Sequence, residues 1–316
     1  MGINNKGILS LYYFIKNRKL LKPSILMALI FMIFSVFLSA GPAHAGDLKD
    51  VLKAGKLRHL GGYYANFVKQ DKTGLDVELM QMFAKYLDVK YEFVESSWTD
   101  ILPNLIGKNV KFEKDNNVVL SGKKPVKGDV IATGFTILPW RKKIVDFSEM
   151  TFPTGIWLIG NADLHVKPIT PTGIMKKDIK ATKSLLRGLS VLASKGSCLD
   201  PDLYGLGKTG AKVKLFPANR NLKEMIPSVM AGVVDTTIMD VPVALLALEK
   251  WPGEIKVLGP VSPDQKMACA FPKTSPNLRR KFNKFFRQFR DDGRYKHLVK
   301  KYYPSVFIYY PHFLEN

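Results

Sequence analysis

The chain has 316 residues, 46% of them hydrophobic and 24% charged, which excludes a disordered chain, a collagen-like repeat and a disulfide-stapled mini-protein. Forty-eight Lys and Arg against 27 Asp and Glu give a formal charge of +21. Such a surplus fits an anionic partner (acidic protein, lipid headgroup or nucleic acid) and equally a basic, export-stable surface, because net charge governs solubility and association rather than fold.

In chain order, residues 1–22 are basic and carry no acid, residues 24–39 are apolar, and Ala43-His44-Ala45 precedes Gly46. That order reads as a cleaved secretory signal peptide over 1–45. Its apolar run is shorter than the roughly 20 residues a membrane-spanning helix needs. Five cations (Lys6, Lys16, Arg18, Lys19, Lys22) lie in it, so 21 less 5 leaves +16 on the remainder. The exported chain would be periplasmic. Its two cysteines are Cys198 and Cys269. A disulfide between them is the expectation for that compartment, with two buried free thiols as the alternative.

Leu48–Leu52 reads as a short helix, Leu57–Leu60 as a strand, and Gly61-Gly62-Tyr63-Tyr64 as the loop behind it. Gly74 opens a helix whose Leu79, Met80, Phe83 and Leu87 recur at helical spacing. Val89, Tyr91 and Phe93 alternate as a strand. Thr99 is placed to cap the next helix, with Pro103 tolerated in its first turn. Residues 111–127 are polar and turn-rich and read as an inserted hairpin or loop; Asp129–Thr133 is a buried strand ending at Gly134. Residues 161–183 read as a surface excursion or loose helix. A strand at Leu189–Ala193 and a turn into a helix at Lys195–Cys198 follow. Then come a helix over Leu222–Met230, a strand over Val233–Met239, a helix begun by Pro242, and a last long helix opened by Ser275-Pro276 with Phe282, Phe285, Phe286 and Phe289 on one face. Strands alternating with helices predict an α/β fold with parallel-rich sheets.

No phosphate loop, HExxH, paired CxxC or G-x-S-x-G occurs, and the histidines are scattered, so no metal, cofactor or standard hydrolase chemistry is expected. What stands out is Gly134-Phe135-Thr136 leading to Arg141. It lies at the end of a buried strand, where open α/β sheets bind ligands. Arg141 offers a planar fork for a carboxylate, although spacing alone also fits a surface arginine.

The order of segments resembles the extracellular solute-binding protein family 3, the periplasmic receptors of polar amino acid importers. The markers are Gly74-Leu75-Asp76-Val77-Glu78-Leu79, then Ser97-Trp98-Thr99-Asp100-Ile101-Leu102, and Gly128-Asp129-Val130. Gly134-x-Thr136 with Arg141 to Ser148, Gly232-Val233-Val234-Asp235, Asp240-Val241-Pro242 and Asp292-Gly293-Arg294-Tyr295 complete them. The resemblance implies a two-lobed periplasmic binding protein-like fold with helices on both faces of each sheet. Residues 46–153 with 270–316 would form lobe one and residues 154–269 lobe two, joined by two hinge crossings. It implies that Arg141 forks onto a ligand carboxylate, assisted by backbone at Gly134, Thr136, Ser197 and Cys198, and that Asp240 receives the ligand ammonium. Trp98 and Tyr63 or Tyr64 would cover the ligand. Each has a plainer reading: Asp240 and Ser197 as helix caps, Trp98 as core.

Against the family pattern, the first loop carries glycine at position 62 where many members have a nearby Asp, Leu138 replaces a small residue, Pro139-Trp140 precede the arginine, and Gly196-Ser197-Cys198 replaces Gly-Thr. The frame for an amino acid survives while the specificity pocket reads as apolar and aromatic. The implied role is capture of an amino acid or similar small carboxylate-bearing zwitterion, by a monomer, for an ABC transporter permease. One alternative is a sensory or partner-binding relative whose basic C-terminal helix docks on an acidic protein or membrane surface. Another is a cyclohexadienyl dehydratase-like enzyme, for which Asp200 is the nearest acid. Export disfavours nucleic acid.

Overall fold

The structure, a computed structural model, describes residues 46–113, 117–217 and 222–314; the expected leader over 1–45 lies outside them. Helix α1 (Leu48–Ala54) stops at Gly55 in the left-handed region, φ 62°, where glycine costs least. It feeds β1 (Lys56–Gly61), α2 (Leu75–Leu87), β2 (Lys90–Glu95) and α3 (Ile101–Ile106). The 111–127 insertion contains most of an antiparallel hairpin, β3 (Asn109–Phe112) and β4 (Val118–Ser121). The strand expected over 129–133 is shorter, β5 (Val130–Ile131), because Gly134 turns the chain at φ 59°. A four-residue helix α4 (Pro139–Lys142) and β6 (Val145–Phe147) come next.

The chain then leaves this sheet through β7 (Phe152–Thr154) into β8 (Ile156–Asn161). Helix α5 (Met175–Leu185) occupies the end of the expected excursion, and β9 (Ser190–Ala193) follows. The helix expected after Cys198 is instead two 3-10 turns, Pro201–Tyr204 and Leu206–Lys208. Gly205, with φ 62°, breaks the run between them. Strand β10 (Lys212–Leu215), α6 (Met225–Met230), β11 (Thr236–Asp240), α7 (Val241–Lys250) and β12 (Ile255–Pro260) complete the second unit. The return runs through β13 (Gln265–Met267) to β14 (Ala270–Pro272), α8 (Pro276–Asp291), α9 (Arg294–Tyr302) and α10 (Val306–Tyr309).

Two five-stranded sheets result, in the orders β2-β1-β5-β14-β6 and β10-β9-β11-β8-β12. In the first, β1 is parallel to β2 and β5, and β14 runs antiparallel to its neighbours. In the second, β9 is parallel to β10 and β11, while β8 is antiparallel to β11 and β12. The two crossings pair with each other: β7 and β13 form an antiparallel ribbon with Thr154 opposite Gln265. A pair of extended strands crossing between two packed bodies is a natural hinge.

Two apolar clusters pack on the first sheet and one on the second, and Val241 and Leu245 of α7 join the larger of the first two. The phenylalanines of α8 all point inward as their spacing predicts, with Phe282 edge-on to Phe83 at 5.1 Å and stacked on Phe286 at 5.8 Å. Burying such a ring contributes about 1.5–3 kcal/mol, so this face anchors the C-terminal helices to the first sheet. The C-terminal segment also reaches the hinge, where Phe313 lies 5.7 Å from Phe152 and Tyr309 lies 5.2 Å from Trp157.

Candidate functional site

Gly134 makes the first feature of the site. Its φ of 59° suits glycine, and an added Cβ would sit 2.6 Å from the Phe67 ring. Its N–H donates to Asp76 Oδ2 at 2.6 Å, so the first turn of α2 holds this bend from below. The turn brings Thr136 and then Arg141, on α4, to the edge of the first sheet that faces the second.

Arg141 is buried, at 4% exposure. One guanidinium N–H donates to the Thr136 carbonyl at 2.8 Å, and the group lies over the Phe135 ring at 4.0 Å and near Trp140 at 5.3 Å. Among the described residues no carboxylate pairs with it, and Nε is buried without a hydrogen bond. Burial pulls its pKa down to about 10, partly offset by Cys198, Tyr204 and Tyr64. The ring stacking compensates only part of the desolvation, since a cation over a desolvated aromatic face gains about 2 kcal/mol. A buried guanidinium carries a penalty of several kcal/mol when no anion meets it.

Asp240 ends β11 and faces Arg141's neighbourhood from the second sheet. It is fully buried; Oδ2 accepts the Tyr64 hydroxyl at 2.5 Å, and Oδ1 has no partner. Burial pushes its pKa up to about 7, against the Tyr64 hydrogen bond. It occupies the N-cap position of α7 but makes no side-chain cap bond, so its carboxylate is turned toward Tyr64 rather than down its own helix. Tyr64, stabilised edge-on by Trp98 at 5.2 Å, thus links the first loop of one sheet to the last strand residue of the other.

Cys198 sits among these groups. Burial pushes its thiol up to about 12, with Asp240 adding to the shift and Arg141 and the Thr136 hydroxyl opposing it. Its carbonyl accepts the Tyr204 hydroxyl at 2.5 Å, and Tyr204 in turn accepts from the hinge residue Gln265 at 3.3 Å. The expected disulfide does not form. Cys198 and Cys269 are both free, because Cys198 faces the cleft while Cys269 lies in the core of the first sheet, with its backbone N–H on Ser148 Oγ.

The turn 194–200 is self-contained. Ser197 Oγ donates to the Ser194 carbonyl at 2.8 Å and accepts from the Leu199 N–H at 2.9 Å, so its hydroxyl serves the turn, in line with the plainer reading. Asp200 is equally committed. Its oxygens take the N–H groups of Gly196 at 2.8 Å and Asp202 at 3.0 Å, and Lys195 approaches at 3.4 Å. Tyr63 departs from its expected role: its hydroxyl donates to Glu95 at 2.8 Å on the outer surface, because adjacent loop residues point to opposite sides. Trp98, 37% exposed, is at the mouth rather than in the core. Phe135, Tyr204 and Gln265 were missed in the sequence. Phe135 lay inside the marked motif, whereas nothing in the local pattern distinguished Tyr204 or Gln265. Among the described residues no cluster of His, Cys, Asp or Glu is placed to hold a metal ion.

Two sheets joined by a paired-strand hinge, with a buried unpaired cation on one and a buried half-paired anion on the other, define a two-lobed solute-binding protein. The chain matches the bacterial extracellular solute-binding proteins, family 3, over residues 108–305, and it belongs to that family. The arginine-binding extracellular protein ArtP of Bacillus subtilis is 25% identical over 236 residues, covering 73% of this chain and 78% of that protein. The membrane-bound lytic murein transglycosylase F of Desulfosudis oleivorans is 25% identical over 239 residues, 75% of this chain. The chain spans less than half of that relative, 46%. Among solved structures, a mutant of ArgBP from T. maritima superimposes with a TM-score of 0.63 at 22% identity, over 82% of this chain and 99% of that one. That likeness carries the fold.

Proposed function

We propose that the chain captures an amino acid, or a similar small carboxylate-bearing zwitterion, between its lobes and delivers it to the permease of an ABC importer outside the cytoplasmic membrane. The lobes are residues 46–153 with 270–316 and residues 154–269, moving about β7 and β13. One observation carries the reading: two buried polar atoms of opposite charge, Arg141 Nε and Asp240 Oδ1, have no hydrogen-bond partner, and both side chains lie within electrostatic reach of Cys198 and Tyr64. A zwitterion supplies both missing partners at once. Its carboxylate meets the guanidinium held by Phe135 and the Thr136 carbonyl, and its ammonium meets Asp240 in competition with the Tyr64 hydroxyl. Gly134 shapes the bend that presents Thr136, Tyr64 and Trp98 cover the ligand, and Ser197 with Cys198 forms the opposite wall.

A non-catalytic role is supported by Asp200, whose two oxygens are spent on its own turn. The basic C-terminal helix is partly neutralised in place, Arg287 by Glu149 at 2.6 Å and Arg279 by Asp146 at 3.9 Å, which favours the transport reading over docking on an acidic partner. The test is thermal unfolding of ligand-stripped protein against the common amino acids. A true ligand at 100 times its dissociation constant adds about 2.7 kcal/mol of stability. A panel in which no α-amino acid raises the midpoint sinks the proposal.

A further inference from the structure

Beside the charged cleft lies a cavity of about 250 Å³ between the β3–β4 hairpin and the 194–197 turn. Its walls include Trp98, Leu102, Val110, Phe112 and Trp140, with Lys195 on the opposite side. Strand β3 supplies one wall. Val110 and Phe112 are two apart on β3, so both face the same way, and Phe112 packs on Trp140 at 5.2 Å. The chain after β4 is pinned back to α3: Lys124 N–H donates to the Gly107 carbonyl at 2.9 Å and Lys127 N–H to the Asn104 carbonyl at 2.8 Å. Trp98 stands between this cavity and the charged site: it lines the one and meets Tyr64 edge-on at 5.2 Å in the other, and the lining residues Trp140 and Ser197 are chain neighbours of Arg141 and Cys198.

We infer that this cavity seats the ligand's side chain, and that the hairpin selects a large apolar or aromatic one. The inference rests on the zwitterion reading above, since Arg141 and Asp240 orient the ligand head so that its side chain enters here. Among the described residues no carboxylate lines the cavity. A cationic side chain would lose its hydration there without gaining a counter-ion, since the carboxylates nearest Lys195, Asp200 and Asp202, are already paired with it. An aromatic ring loses nothing by desolvation and gains offset or edge contacts with two indoles and a phenyl ring. The selectivity is therefore opposite to that of the arginine-binding relative.

Titration calorimetry on the ligand-stripped, leader-free chain tests this with phenylalanine, leucine, alanine, arginine and 3-phenylpropionate. Phenylalanine or leucine is expected to bind at least tenfold more tightly than arginine. Phe112→Ala, on a hairpin outside both main sheets, is expected to weaken phenylalanine tenfold or more while leaving alanine within threefold. Val110→Asp is expected to move the ranking toward arginine. Arginine binding to the unaltered protein as tightly as phenylalanine overturns the inference and leaves the zwitterion reading standing, as does a side-chain ranking unmoved by both variants. Conversely, 3-phenylpropionate matching phenylalanine removes the role of Asp240 while the side-chain cavity stands. Binding by none of the amino acids overturns both.

Discussion

The first lobe contains two arginines held in opposite ways. Arg58 reaches Asp129 through a fork, with Nη2 to Oδ1 at 2.6 Å and Nε to Oδ2 at 3.1 Å, and the Arg58 backbone N–H adds a third bond to the same carboxylate at 2.9 Å. Arg141 is more deeply buried and has a carbonyl and aromatic rings but no carboxylate. The structural cation Arg58 comes with its anion. Arg141 does not, and under the proposed function a ligand carboxylate meets its desolvation penalty. The aspartates repeat the contrast. Asp129 is saturated, whereas Asp240 keeps one oxygen open and carries a pKa near 7 from burial.

Substitutions should separate the two arginines cleanly, and the largest effect is on affinity. Arg141→Ala is expected to weaken any carboxylate ligand by about 2–5 kcal/mol in titration calorimetry, because the bound carboxylate is left buried and unpaired. The same change should leave the stability of the ligand-free protein equal or higher, since it removes an uncompensated buried charge. Arg58→Ala should do the reverse. It orphans the buried Asp129 and is expected to cost roughly 3 kcal/mol in urea unfolding, while ligand affinity measured on the folded fraction stays within threefold. If both variants lose stability equally, the contrast between a paired and a waiting cation is wrong.

The pH dependence sharpens the comparison. Asp240 and Asp76 both have folded-state values raised to about 7 by burial, from an ordinary value near 3.8. Between those values the folded state binds more protons at these two groups than the unfolded one, so their contribution to ligand-free stability is full below about pH 4 and is lost as pH rises toward 7. Ligand binding runs the other way: an ammonium needs the Asp240 carboxylate ionised, so affinity should rise from pH 5 to pH 8 with proton release. Asp240→Asn should flatten that affinity profile, whereas Asp76→Asn should leave it sloped. A smaller effect is expected from Tyr64→Phe, which removes the hydroxyl that competes for Asp240. Affinity for a zwitterion at pH 8 should rise severalfold, and a fall would show that the hydroxyl itself grips the ligand. The smallest effect concerns the cysteines. Reductant should leave the thermal midpoint unchanged, where loss of a native disulfide would cost about 2–5 kcal/mol.

Much of this was visible in one dimension. Local rules predicted the helix over 75–87, the phenylalanine face of α8 and the stop at Gly134, because spacing, proline and glycine act within a few residues. The ordered markers from Gly74 to Tyr295 pointed to the family, and made Arg141 and Asp240 candidates, since those segments are short and contiguous. The hairpin was legible as turn chemistry, but its packing on Trp140 was not.

Only the tertiary structure decided the rest, because it turns on groups far apart in the chain. The contact of Tyr64 with Asp240 spans 176 positions, and no local pattern encodes it. Nothing near Cys198 says that it faces the cleft while Cys269 is enclosed in another core, so the cysteine count pointed to a bridge that the fold keeps apart. The outward turn of Tyr63, the spending of Asp200 on its own backbone and the wall made by Phe112 against Trp140 are likewise facts of packing. The sequence by itself determined which charges and rings were available and which family of folds would arrange them. The fold determined which charges were left without partners, because hydrogen-bond satisfaction is a property of three-dimensional neighbours and not of neighbours in the chain.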